Sequence, residues 1–181
     1  MEAWEWLVLA AVVAAAVVVV LAGIALVVRR RRRTHLKERF GAEYERAVET
    51  SGARDAERQL VEVERRHEDL EIRQLPATTR ERYLEEWRQA ESRFVSDPAD
   101  AVRGAERIVV RVLEERGYPV DGDLDDRVAY VAADYPDLVQ RYRHAHNLVE
   151  AAERSTENLR LAMIDLRIML DELLVRERAT A

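Results

Sequence analysis

The chain contains no cysteine, which excludes disulfides, thiolate metal sites and a cysteine nucleophile. No stretch alternates apolar and polar residues as a half-buried strand would. No glycine-rich phosphate loop, G-x-S-x-G elbow or H-E-x-x-H helix occurs. The sequence therefore assigns no catalytic residue, cofactor or metal, and it is not read as an enzyme. Glycine and proline are scarce, at six and four residues, and most of those after the arginines punctuate the ends of segments with helical apolar periodicity. An all-α fold follows.

What is present begins with a long uncharged run. Leu7 to Val28 are 22 residues without a charge. At about 1.5 Å per residue, a helix of that length reaches roughly 33 Å, enough for a bilayer core of about 30 Å. Glu2 and Glu5 precede the run; Arg29, Arg30, Arg31, Arg32 and Arg33 follow it. Short basic flanks stay on the cytoplasmic side, so the charge order predicts an amino terminus outside the plasma membrane and the remainder in the cytoplasm. Trp4 and Trp6 occupy the place of an outer aromatic belt. A cleavable signal peptide would carry its basic residues before the apolar run, so an uncleaved single-pass anchor is expected. The five arginines are also expected to hold anionic headgroups, at about 1 kcal/mol each near the surface. The first 33 residues hold five arginines and two glutamates, which leaves 24 basic and 33 acidic residues, net −9, in the rest. Phosphate backbones repel such a surface, and nucleic acid is not an expected partner.

After the arginines, apolar stripes at helical spacing run to the end. Leu36, Phe40, Tyr44 and Val48 recur every fourth position until Gly52. Ala53, Ala56, Leu60, Val63, His67 and Leu70 then follow a 3-4 spacing, the seam of a short coiled coil. Two readings of this seam stay open: a helix packed on its own bundle, or a stalk pairing with a second copy through residues 53–70. His67 is expected to be partly exposed. Pro76 ends the segment, and Thr78 with Glu81 reads as a capping box for a helix carrying Tyr83, Leu84, Trp87, Ala90, Phe94 and Val95 on one face. Asp97 and Pro98 open another helix, which Gly117 and Pro119 close. A segment from about Leu124 is bent or restarted at Pro136, and a last helix follows Ser155 or Thr156. The expected layout is residues 1–6 outside, 7–28 in the membrane, 29–76 as a basic juxtamembrane segment and helical stalk, and 77–181 as an antiparallel helical bundle.

Asp121, Asp123 and Asp125 stand at alternate positions, as at the start of an EF-hand loop. The pattern then fails, since Asp126 stands where glycine is needed and Ala132 where the bidentate glutamate is needed, so the loop is read as an acidic N-cap. His144 and His146 are two apart on a helix and cannot share a metal. His146 lies on the apolar stripe and is read as a structural, buried or half-buried residue.

"RFGAEYERAV" (Arg39–Val48), "RDAERQL" (Arg54–Leu60), "FVSDPADAV" (Phe94–Val102), "RGYPV" (Arg116–Val120), "YRHAH" (Tyr142–His146) and "STENLRLAM" (Ser155–Met163) together resemble a family of uncharacterised bacterial proteins, actinobacterial in type, described as hypothetical, secreted or membrane proteins. The resemblance covers most of residues 37–176. It implies a bacterial origin and one shared fold, and no substrate. By that resemblance, members often carry histidine before the proline where this chain has Tyr135, and tend to carry a glycine-containing turn where this chain has "AAERST".

The functional expectation is a membrane-anchored cytoplasmic helical module for protein–protein interaction or scaffolding, with an unidentified membrane or cytoplasmic protein as partner. The alternative is a tethered small-ligand-binding or sensor domain, with Trp87, Tyr142, Arg143 and His146 as candidate pocket residues.

Overall fold

The structure is a computed structural model that describes residues 3–151 and 155–175; within residues 3–11 the only side chain described is that of Trp4. Among the described residues it is all-α. The helices are α1 (Ala3–Phe40), α2 (Ala42–Ser51), α3 (Ala53–Glu68), α4 (Ala77–Arg93), α5 (Pro98–Arg116), α6 (Leu124–Asp134), α7 (Pro136–Glu150) and α8 (Thr156–Val175). One N-terminal helix, α1, is long and apolar enough to cross a membrane, and none of its most apolar 18-residue window, within Val12–Phe40, is buried within the protein.

α1 does not stop at the arginines. Arginine is a good helix former, and no glycine or proline interrupts the run from Ile24 to Phe40, so the helix continues as one 38-residue rod. Its last turns enter the core, where Leu36 and Phe40 are fully buried. The rod ends because Gly41 takes a positive φ of 54°, and a side chain there would crowd Cβ of Pro136 at the start of α7. The four-residue stripe of Leu36, Phe40 and Tyr44 is therefore split over two helices, although all three side chains reach the core.

α1, α2 and α3 pack together, α1 and α3 also against α6 and α2 on α7; α7 and α5 both pack on α8, and α4 lies on α5. One hydrophobic cluster runs through every helix, from Leu36 and Leu60 to Trp87, Val109, Val139 and Leu170. The segment read as a stalk is thus packed into the same core as the bundle. Ala56, Leu60 and His67 of its seam are buried within the chain itself. This is the first of the two readings of that seam.

Local chemistry explains most of the boundaries. Asp97 caps α5 by accepting from the Asp100 amide at 3.0 Å, with Pro98 in the first turn. Asp123 caps α6 the same way through the Asp126 amide at 2.9 Å, and Ser155 caps α8 through the Asn158 amide at 3.0 Å. Gly117 ends α5 in the left-handed conformation, and no other residue would fit: a Cβ there would stand 2.6 Å from the Glu71 carbonyl oxygen. That closeness arises because residues 69–76 cross the end of α5, with the Arg73 amide donating to the Arg116 carbonyl at 2.9 Å.

Three expectations are corrected. Thr78 does not cap α4; the helix starts at Ala77, the Pro76 carbonyl already accepts from the Arg80 amide, and Thr78 sits inside the first turn. Val95 is not on the α4 stripe, because the helix ends at Arg93 and Val95 is exposed. His67 is not partly exposed: it is 1% accessible, hydrogen-bonded across 2.8 Å to Asp134 of α6, which also accepts from the Tyr118 hydroxyl.

Phe40 fills the joint between α1 and the bundle. Phe40→Ala should lower the stability of the full chain by about 3–5 kcal/mol, the usual cost of emptying a buried phenylalanine site. Chemical denaturation in detergent, followed by circular dichroism, measures it.

Candidate functional site

Two helix starts are aimed at one arginine. Glu43 lies in the first turn of α2 and Asp125 in the first turn of α6, where the helix dipole favours a carboxylate. Both reach Arg143 on α7. Its Nε and Nη2 donate to the two Glu43 oxygens at 3.0 and 2.6 Å, and its Nη1 donates to Asp125. Asp125 also accepts from Arg46 Nη1 at 3.0 Å. The Glu43–Arg143 pair is buried, while Asp125 stays open to solvent. Burial works against the charge on Arg143, but its bonds to Glu43 and Asp125 outweigh that and hold its pKa above the usual guanidinium value. The Arg143 hydrogen bond holds the Asp125 carboxyl below the ordinary carboxylate range, with Arg46 adding to it.

This network borders two open grooves. One, of about 550 Å³, runs between α2, α3 and α6 and is walled by Glu43, Arg46, Arg58, Glu62, Arg66 and Asp126. The other, of about 350 Å³, lies between α6 and α7 beside Arg46, Asp123, Asp125, Arg143 and His146. The walls mix both signs of charge, and the acids are in large part already bonded to neighbouring arginines. Glu62, for example, is held at about 2 by hydrogen bonds from Arg65 and Arg66.

Of the four candidate pocket residues, Arg143 and His146 share the smaller groove. Half-buried His146 is hydrogen-bonded across 2.7 Å to Glu106 of α5. Tyr142 is fully buried, and its hydroxyl accepts from Arg127 Nη1 at 2.7 Å; burial pushes its pKa up. Trp87 belongs to a different part of the core, on α4, with the Arg167 guanidinium of α8 over its ring at 5.6 Å. Arg143 and His146 thus share a groove, whereas Tyr142 and Trp87 are buried elsewhere and line neither groove. Asp123 caps α6, and Asp125 serves Arg143 and Arg46.

Sequence reasoning missed Glu43, Arg46 and Asp125 as a set. Glu43 and Arg143 stand 100 residues apart, and nothing local pairs them. A faint signal existed in the glutamate next to Tyr44, on a side of α2 that packs inward.

Along α1, Trp4 near its start and the arginines Arg29 to Arg32 before the core are exposed, whereas the Trp6 side chain lies outside the described residues. Arg33 Nε donates to the Tyr44 hydroxyl at 3.0 Å. α3 runs beside α1 here: His35 and Arg39 both meet Glu64, at 2.8 and 3.0 Å. Comparison with protein-family models, with curated proteins and with solved structures returned no match.

Removing the arginine should be costly and removing the pair cheap. Arg143→Met leaves Glu43 buried without its partner and should cost about 3–5 kcal/mol, whereas the double variant Glu43→Leu/Arg143→Met should recover most of it. Equilibrium denaturation of both variants in detergent measures the difference.

The lowered Asp125 value has a definite sign in solution. Its contribution to stability is whole above the ordinary value of 3.8 and is lost as pH falls through the lowered one. Asp125→Asn should flatten the acid limb of a stability-against-pH curve, read by denaturation at stepwise lower pH.

Proposed function

We propose that the protein is a single-pass plasma-membrane protein, amino terminus outside, whose cytoplasmic helical domain serves as an interaction or scaffold module for other proteins at the inner membrane face. The observation that carries this reading is the absence of a hinge between anchor and domain. From Val28, where the apolar run ends, to Leu36, where the core begins, is a continuous helix of about 12 Å. A domain held this way keeps a fixed height and tilt above the bilayer, which suits the display of a surface to membrane partners. The arginines after the span, with only glutamates before it, support the orientation.

No reaction is assigned, because the polar residues that pack together are committed to ion pairs and caps. Pairing of two copies through residues 53–70 would need the buried seam of α3 to leave the core, so an interaction surface is sought on exposed faces.

The test of orientation uses the chain's lack of cysteine. Ala3→Cys should react with an impermeant maleimide on intact cells, and Val95→Cys only after permeabilisation; the reverse pattern overturns the topology. The test of function is crosslinking in the native host with a carboxy-terminal tag and mass spectrometry. A reproducible membrane partner, lost on deletion of residues 1–33, is the expected result. Recovery of the protein alone with and without the anchor contradicts the scaffold reading.

A further inference from the structure

Arginines from two helices meet at the level where the apolar run ends. Arg29 and Arg32, on one side of α1, and Arg54 and Arg58, one turn apart at the start of α3, line a groove of about 470 Å³. Ala25 and Val28 form its apolar wall, and Glu57 is the single acid in it. Glu57 accepts from the Tyr44 hydroxyl at 3.4 Å. Arg58 pairs with Asp55, and no ion pair among the described residues joins Arg29, Arg32 or Arg54. All four arginines are exposed.

The position of the groove matters more than its charge. Ala25 and Val28 belong to the apolar run and Arg29 is the first residue beyond it. The headgroup layer is about 5–7 Å thick on each side of a bilayer, and Arg29 to Arg32 climb about 4.5 Å. The guanidinium groups therefore stand at phosphate height, and the apolar wall continues into the acyl region. α3 reaches this level because it runs parallel to α1: the neighbours of residues 25–32 are 54–58, and further along those of 35–39 include Glu64.

We propose that this groove is a binding site for the headgroup of an anionic phospholipid, with Arg54 and Arg58 completing a phosphate clamp that Arg29 and Arg32 begin. The proposal rests on α1 spanning the membrane. It differs from a basic flank held loosely at a charged surface, because half the clamp comes from a helix that lies after the span and is fixed by the core. Arginine forks bind phosphate in two-point fashion, and four of them, with only Arg58 already paired (to Asp55) and Glu57 the one acid in the lining, match a headgroup with two phosphates better than one with a single phosphate. Cardiolipin should therefore be retained ahead of phosphatidylglycerol, and phosphatidylcholine not at all.

The full chain is purified in mild detergent with a mixture of phosphatidylcholine, phosphatidylglycerol and cardiolipin, and the lipids retained are read by native mass spectrometry. The double variant Arg54→Gln/Arg58→Gln should lose retained anionic lipid by about tenfold or more. Arg30→Gln/Arg31→Gln, which removes the same charge from residues outside the groove, should lose clearly less. Equal loss in both pairs, or no loss in the first, overturns the site. Displacement of the lipid by millimolar inorganic phosphate also overturns it, since the ligand is then free phosphate. Alkaline extraction of membranes is run alongside: a protein that washes off refutes the span itself, whereas an inserted protein without lipid preference refutes only the groove.

Discussion

One continuity governs the arrangement: the apolar helix that can cross a membrane ends inside the hydrophobic core of the domain that follows it. Five arginines lie between these two environments, and helix propensity carries the backbone through them without a break. The core then grips the helix by Leu36 and Phe40, each worth about 1.5–3 kcal/mol of burial. A flexible linker would have left the bundle free to turn. Here the last two turns of α1 belong at once to the rod and to the core.

Buried polar groups then decide how the helices around α1 are set. The Glu43–Arg143 pair joins α2 to α7, and Asp125 brings in α6. His67 and Tyr118 meet on Asp134, which joins α3, the turn after α5 and the end of α6. Burial and the bond to Asp134 push the Tyr118 pKa well above the usual phenol range, so this hydroxyl keeps its proton and its donor role. Apolar packing alone is forgiving of small rotations, but a buried charge without its partner is costly, and so such contacts select one arrangement.

The local rules were legible in the chain. The cap at Asp97, the stop at Gly117, the restart at Pro136 and the cap near Ser155 each depend on a few neighbouring residues, and each lies where those residues require. What could not be read were relations between distant segments. The partner of His67 lies 67 residues away, and that of Glu43 lies 100 away. The seam of α3 looked the same whether it met its own bundle or a second copy, because an apolar face does not specify what covers it. Thr78 failed as a cap for a local reason: Pro76 supplies the first accepting carbonyl itself. The groove between α1 and α3 depends on Arg54 and Arg58 arriving beside Arg29 and Arg32, a parallel placement that only the folded core produces.

The rigid joint between anchor and bundle is the claim on which the scaffold reading stands, and it can be measured as a distance. Two spin labels, at Val27→Cys on α1 and Arg160→Cys on α8, report across that joint in a chain with no cysteine of its own. In lipid nanodiscs, pulsed electron resonance should give one narrow distance distribution, unchanged between detergent and bilayer. A broad or multimodal distribution would mean that the helix hinges at the arginines, and the bundle would then be tethered to the membrane without being oriented by it.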